Sequence, residues 1–248
     1  LQKNNSKLNN MTLRNTTILM LFLAWGFAPK AYAQQPLNPN WDARKIQGVR
    51  QLPYPSYEGF PFLTDTWRPG KIEFTTGEIA DSLFVRYSSF KDELIYFNKT
   101  TGAQIDIDKA SINGFSFTDS DDQIRVFRKQ YFDNYAKNDR FFEVLSAGET
   151  SLLAYRKVSL NTTSAYQDKS GILKNMAYTQ DHQFYFYSPE KGYTLVRINK
   201  GSLLSKFEKT SQNSIKKLLR KNKIKIEGES SFILAWKTIE KEGYKVVF

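Results

Sequence analysis

The sequence predicts an α+β fold: a predominantly antiparallel β-sheet, curved or barrel-like, followed by a C-terminal basic helix pair. Three observations carry this. Between residues 71 and 200 apolar residues alternate on a period of two, glycine-bearing turns separate the alternating runs, and from Gly201 the period lengthens to about 3.6. Strands in succession followed by helices are the element order of an α+β domain, with the helices packed on the sheet or at its end.

Taken along the chain, the first element is an export signal. Residues 18–28 form an apolar run too short to span a bilayer; Arg14 precedes it, Pro29 follows it, and Ala31-Tyr32-Ala33 offers small residues for cleavage. The expectation is a start at Met11, with residues 1–10 upstream of it, and removal of residues 1–33 to leave Gln34 at the new N-terminus. Lys3, Lys7, Arg14 and Lys30 leave with that segment, which takes the net charge from +11 to +7. Of the remainder, +6 belongs to residues 201–248, with 11 Lys and Arg against 5 Glu, so the basicity is a property of the tail. With no cysteine in the chain, an exported product has neither disulfides nor a lipidated thiol and depends on its hydrophobic core.

Residues 34–70 read as an extended lead-in, rich in Pro and aromatic residues. The β-rich body, 71–200, opens with Ile72 and Phe74 before a turn at Thr76-Gly77. Leu83, Val85 and Tyr87 then share one face, with Phe84 and Arg86 on the other, and 94–97 follow after Lys91-Asp92. Further strands are expected at 104–107, 112–117, 124–131, 141–145, 151–158, 182–187 and 193–198, two hairpins closing around Gly148 and Gly192. Residues 161–179, polar and carrying Gly171, read as a long loop. In the tail, 201–248, Leu204, Phe207, Ile215 and Leu218 mark one helical face with Ser202 as N-cap. Phe232, Ala235, Trp236 and Ile239 mark a second helix that ends at Gly243.

Gly59-Phe60-Pro61-Phe62-Leu63, Trp67, Gly70-Lys71-Ile72, Leu83-Phe84-Val85-Arg86-Tyr87, Asp92-Glu93-Leu94, Phe142-Glu143-Val144-Leu145 and Ser151-Leu152-Leu153, with the basic helix pair, resemble uncharacterised exported proteins of Bacteroidota. The resemblance covers most of residues 34–248 loosely and implies export, but no activity and no site residues.

The residues name no catalytic site, no metal site and no cofactor. His182 is the only histidine; without cysteines the usual zinc ligand sets are incomplete, and no nucleophile elbow accompanies it, so it reads as a strand-edge or partly buried residue. Asp106 and Asp108 share a strand face, and Asp119, Asp121 and Asp122 form an acidic turn that lacks the spacing of a calcium loop. The 19 Phe, 14 Tyr and 4 Trp fall mostly at alternating core positions, with the remainder available to a ligand groove. Lys216, Lys217, Arg220, Lys221, Lys223 and Lys225 form a run without an acid, a candidate contact for an anionic lipid surface or an envelope protein. Export excludes nucleic acid as a partner, and residues 34–248 hold no apolar stretch long enough for a transmembrane helix. The expected function is therefore a non-enzymatic binding or accessory protein, periplasmic or envelope-associated, for a partner protein, glycolipid or apolar ligand. The alternatives are an exported glycan hydrolase that pairs carboxylates such as Asp106 and Asp121, and a structural subunit of an envelope complex.

Overall fold

The computed structural model describes residues 46–132, 138–167 and 169–248, apart from the side chains of residues 173 and 174. The expected signal peptide, its cleavage site and the start of the lead-in lie outside the described residues, which all belong to one compact unit, Asn40–Phe248. Thirteen strands are present among them: β1 Gly48–Arg50, β2 Arg68–Phe74, β3 Ile79–Ser88, β4 Glu93–Asn98, β5 Ala103–Ile107, β6 Ile112–Thr118, β7 Ile124–Phe132, β8 Asn138–Ser146, β9 Ser151–Tyr155, β10 Val158–Gln167, β11 Leu173–Gln180, β12 Gln183–Ser188 and β13 Gly192–Val196. The helices are α1 Lys200–Leu204, α2 Lys209–Lys221 and α3 Glu229–Lys241. The fold is thus α+β, a large antiparallel sheet with a short C-terminal helix pair, as the periodicities predict.

Eleven strands make one sheet in the order β1-β5-β4-β3-β2-β6-β7-β8-β9-β12-β13, and β10 and β11 form a separate ribbon. Because strand side chains alternate, directly paired residues share a face. One such row crosses eight strands: Ala80, Ile72, Phe115, Phe127, Glu143, Ala154, Phe184 and Val196. All eight are buried, and Glu143 is the single charged member.

This face is buried in two ways. From β1 to β7 no helix covers it, and it curls over itself. β3 and β8 are four strand spacings apart, about 19 Å in a flat sheet, yet the rings of Tyr87 and Phe141 lie 6.3 Å apart. Asp92, in the β3–β4 turn, accepts hydrogen bonds from the Phe141 N–H at 3.2 Å, the Tyr87 hydroxyl at 2.6 Å and Lys109 Nζ at 2.8 Å. Ser89 accepts from the Val158 N–H in the same closure. The rings of Tyr87, Phe115, Phe127 and Phe141 fill the resulting core. Burial pushes the Asp92 carboxyl up despite these donors.

From β8 to β13 the face is instead covered by the helices: Leu152, Ala154, Phe184, Phe186 and Val196 pack against Leu203, Phe207, Ile215, Leu219, Phe232 and Trp236. A third cluster of Phe132, Phe142, Leu153, Tyr155 and Tyr185 lies on the opposite face.

Glu143 stands where the two halves meet. Arg125 Nε and Nη2 donate to its two oxygens at 2.7 Å each, and Arg156 Nε donates to Oε2. The other end of the Arg156 guanidinium donates to both oxygens of Glu229, the first residue of α3. A chain of charge-assisted hydrogen bonds, buried at Glu143 and Arg156, therefore ties β7, β8 and the residue after β9 to the helix that covers the sheet. Burial alone raises the Glu229 carboxyl, but the hydrogen bonds and charge of Arg156, with Arg125 and His182 adding, hold it below the ordinary carboxylate range. A group whose value is lower folded than unfolded stabilises at neutral pH, and that contribution is lost as pH falls through its folded value. Urea midpoints followed from pH 7 downward are expected to decline more steeply for the natural chain than for Glu229→Gln across and below the carboxylate range.

The helical region departs from the sequence reading in two respects: the N-cap is Asn199 and not Ser202, which lies inside the first helix, and the apolar face is divided between two helices. Leu204 and Phe207 do not share a helix with Ile215 and Leu218, because the chain breaks between α1 and α2. Asn199 caps α1 through the Ser202 N–H, while the Ser202 hydroxyl accepts from Arg197, and Phe207 N–H bonds three residues back to Leu204. Leu219 is fully buried, and Leu218 only partly.

Both longer helices end alike: Lys223 and Gly243 sit in left-handed conformations at φ 54° and 78°, and the next residue's N–H returns to Leu219 and Ile239, respectively. Glycine suits that position; lysine does not. Lys223→Gly is expected to raise stability by about 0.5 to 1 kcal/mol in chemical denaturation.

Residues 161–167 and 173–179, which the sequence reads as parts of a long loop, lie instead in β10 and β11. Both faces of this ribbon are largely exposed, so the polar and apolar alternation that marks a half-buried strand is absent.

Candidate binding site

On the face opposite the curled core, the lead-in crosses β3, β4 and β5. Pairing of β1 with β5 continues through Gln51 N–H to the Gln104 carbonyl, after which Pro53 and Pro55 end the ladder. Tyr54 turns inward, its hydroxyl 2.9 Å from Ser88 Oγ. The chain then meets β11: Glu58 N–H bonds to the Met176 carbonyl, and Tyr178 N–H to the Glu58 carbonyl. Gly59 follows at φ 78°, where a Cβ would stand 2.4 Å from the Tyr178 carbonyl oxygen, so this crossing requires glycine. Leu63 N–H donates to the Tyr87 carbonyl and Phe90 N–H to the Pro61 carbonyl, fixing the segment onto β3 and its turn.

Arg86 holds the far end. Its guanidinium lies 3.9 Å from the Phe62 ring centroid and 4.8 Å from that of Phe60, and donates to the carbonyls of Thr64 at 3.2 Å and Asp65 at 2.8 Å. Planar stacking combined with in-plane hydrogen bonds is arginine chemistry that lysine does not reproduce.

Between the lead-in, the β1–β5 edge and Tyr178 lies an open groove of about 740 Å³. Its aromatic walls are Tyr54, Tyr57, Phe60, Phe62 and Tyr178; Arg50 and Arg86 supply positive charge, and among the described residues no carboxylate lines it. The Tyr178 hydroxyl donates to the Pro55 carbonyl at 3.1 Å, and the Tyr57 and Tyr178 ring centroids are 5.8 Å apart, so the rings are braced against one another. Behind Tyr54 lie Glu93 and Asp106. Burial, opposed by the Ser88 hydrogen bond and assisted by these two carboxylates, pushes the Tyr54 hydroxyl up to about 12. It therefore stays a neutral donor and acceptor at any physiological pH. Burial also raises Glu93 and Asp106 themselves. Such a surface can stack flat apolar or sugar rings, donate hydrogen bonds at its ends and accept a neutral or anionic ligand.

Compared with known proteins, the chain matches no family model, no curated protein and no solved structure. The site is therefore read from its own geometry.

The residues singled out from sequence distribute as follows. Lys217, Arg220 and Lys221 share the exposed face of α2, opposite buried Ile215 and Leu219; Lys216 is half-buried, and Lys223 and Lys225 are exposed in the connector to α3. None of the six pairs with a carboxylate among the described residues. Asp106 lies in β5, whereas Asp121 is exposed in the β6–β7 turn, and β4, β3, β2 and β6 intervene in the sheet. The two are not brought together. In that turn Asp119 Oδ1 accepts from the N–H groups of Asp121 and Gln123, which accounts for the acidic cluster as a local turn device. Asp108 caps the 3₁₀ turn Lys109–Ser111. His182 is half-buried just before β12, with Nδ1 lacking a hydrogen-bond partner, and burial followed by the Arg156 charge lowers its imidazole.

A second cleft of about 480 Å³ lies among the β8–β9 turn, the β12–β13 turn and residues after α3, but charges of both signs line it and Lys245 pairs there with Glu149. The sequence allows the aromatic residues a ligand groove but does not place it, because Tyr178 comes from a ribbon that reads as a loop. The interleaving of Tyr54, Pro55, Tyr57, Phe60, Pro61 and Phe62 was the available signal.

Proposed function

We propose that this chain is a non-enzymatic binding protein, exported to the cell envelope, whose groove takes a ring-bearing neutral or anionic ligand of the envelope-glycolipid class. The observation that carries this reading is the groove itself: braced aromatic walls, two arginines and, among the described residues, no lining carboxylate. Export rests on the apolar run 18–28 and Ala31-Tyr32-Ala33. The basic face of α2, with Lys217, Arg220 and Lys221, adds a salt-sensitive contact to the anionic surface in which such a ligand resides.

The test is calorimetric titration with lipopolysaccharide at two salt concentrations. Tyr57→Ala with Phe60→Ala is expected to weaken binding by about tenfold or more with the salt dependence retained. Neutralising Lys216, Lys217, Arg220 and Lys221 to Gln is expected to flatten the salt dependence. Binding that is absent, or unchanged in the groove variant, contradicts the reading.

A further inference from the structure

The β10–β11 ribbon carries an unguarded strand edge. Its hydrogen-bonding parity can be read from its base. Val158 pairs with Gln180, yet its N–H goes to Ser89, away from β11. Val158 is therefore a non-hydrogen-bonded position, and by the two-residue period Leu160 and Thr162 also point their N–H and C=O groups outward. The other strand agrees: Tyr178, opposite Leu160, and Met176, opposite Thr162, send their outward groups to Glu58. The outer edge of β11 is thus partnered by the lead-in, while that of β10 has no strand partner among the described residues.

Exposed edges are ordinarily kept short, charged or interrupted by proline. The end strands of the large sheet follow this, β1 with three residues and β13 with five. β10 has ten residues, and its sequence Val-Ser-Leu-Asn-Thr-Thr-Ser-Ala-Tyr-Gln contains no charge and no proline. Its one irregularity is a register shift beyond Thr162, which leaves 158–162 regular. A two-stranded ribbon is marginal alone in water and gains from a third or fourth strand.

We infer that the β10 edge is a self-association surface, where Leu160 and Thr162 pair antiparallel with the same residues of a second copy to make a four-stranded sheet across a twofold axis. The occupant follows from charge. Residues 34–248 carry +7, of which +6 belongs to residues 201–248, so copies repel where the basic helical regions meet, and this uncharged edge brings no like charges together. An anionic partner has its attraction at α2, not here. Edge pairing buries less than a standard interface, so the dimer is weak and concentration-dependent.

Sedimentation velocity of the purified protein from about 5 to about 500 µM, the weak range for such an interface, tests this together with amide hydrogen exchange at Leu160 and Thr162. The expected result is a monomer that becomes a dimer with rising concentration, with both amides gaining protection in step. Thr162→Pro removes an outward N–H and no bond within the ribbon, and Leu160→Lys places a charge beside its own copy; each is expected to shift the midpoint at least about tenfold higher. A protein that stays monomeric with both amides unprotected overturns the inference. So does a dimer untouched by both variants, or a monomer that captures an added extended peptide at this edge. Lipopolysaccharide titration of the groove reads out independently of all three.

Discussion

Glu143→Ala is expected to cost about 3 to 5 kcal/mol, enough to abolish most of the stability of an ordinary domain. Glu143 is 5% exposed and Arg156 3%, so removing the carboxylate leaves the buried Arg156 guanidinium and the half-buried one of Arg125 without the anion they share. The loss is not that of one hydrogen bond, because Arg125 and Arg156 both donate to this side chain and Arg156 also positions Glu229 at the start of α3. Replacing one partner strands a buried charge; replacing the set with apolar groups does not. Glu143→Leu combined with Arg125→Leu, Arg156→Met and Glu229→Gln, which leaves no member of the set charged, is therefore expected to recover much of what Glu143→Ala loses, measured by urea denaturation. A single variant no less stable than the natural chain contradicts the assignment of Glu143 as the junction between the two cores.

The second large effect is at Trp236. Its ring, 1% exposed and 4.5 Å from that of Phe186 by centroids, joins α3 to the sheet. Trp236→Ala is expected to cost about 3 to 5 kcal/mol through the cavity it leaves. The indole Nε1–H is buried with no hydrogen-bond acceptor, and an unmade buried hydrogen bond carries a penalty of about 1 to 3 kcal/mol. Trp236→Phe, which removes that donor but keeps a ring, is expected to lose far less than Trp236→Ala. Thermal unfolding followed by circular dichroism separates the two, and equal losses contradict the packing account.

These elements show how far the residues alone reach. The strands that form the row from Ala80 to Val196 were legible because one face is buried and the other is not, which writes a period of two into the sequence. The face of α3 was legible for the same reason, since Phe232, Ala235, Trp236 and Ile239 repeat on a helical period. β10 and β11 were not, because a ribbon wet on both faces imposes no alternation. Glu143 was hidden differently: a carboxylate between Phe142 and Val144 reads as an ordinary alternating position. Its partners Arg125 and Arg156 lie 18 and 13 residues away, and Glu229 lies 73 beyond Arg156, so only the register of β7, β8 and β9 brings them together. The break after α1 is made by three-residue hydrogen bonds from the Lys206 and Phe207 N–H groups to Leu203 and Leu204, a tightening of the backbone with no periodic signature. The lead-in that forms one wall of the groove reads as extended chain in the sequence, but Tyr178, on the other wall, belongs to the ribbon that reads as a loop.

That groove is the centre of the functional account, and amide chemical-shift mapping tests it most directly. Titration of isotope-labelled protein with the oligosaccharide released from lipopolysaccharide is predicted to move the resonances of Tyr54, Tyr57, Phe60, Gln104 and Tyr178, in a saturable way that Tyr57→Ala with Phe60→Ala suppresses. Shifts confined to the basic face of α2, or no shifts at saturating ligand, contradict it.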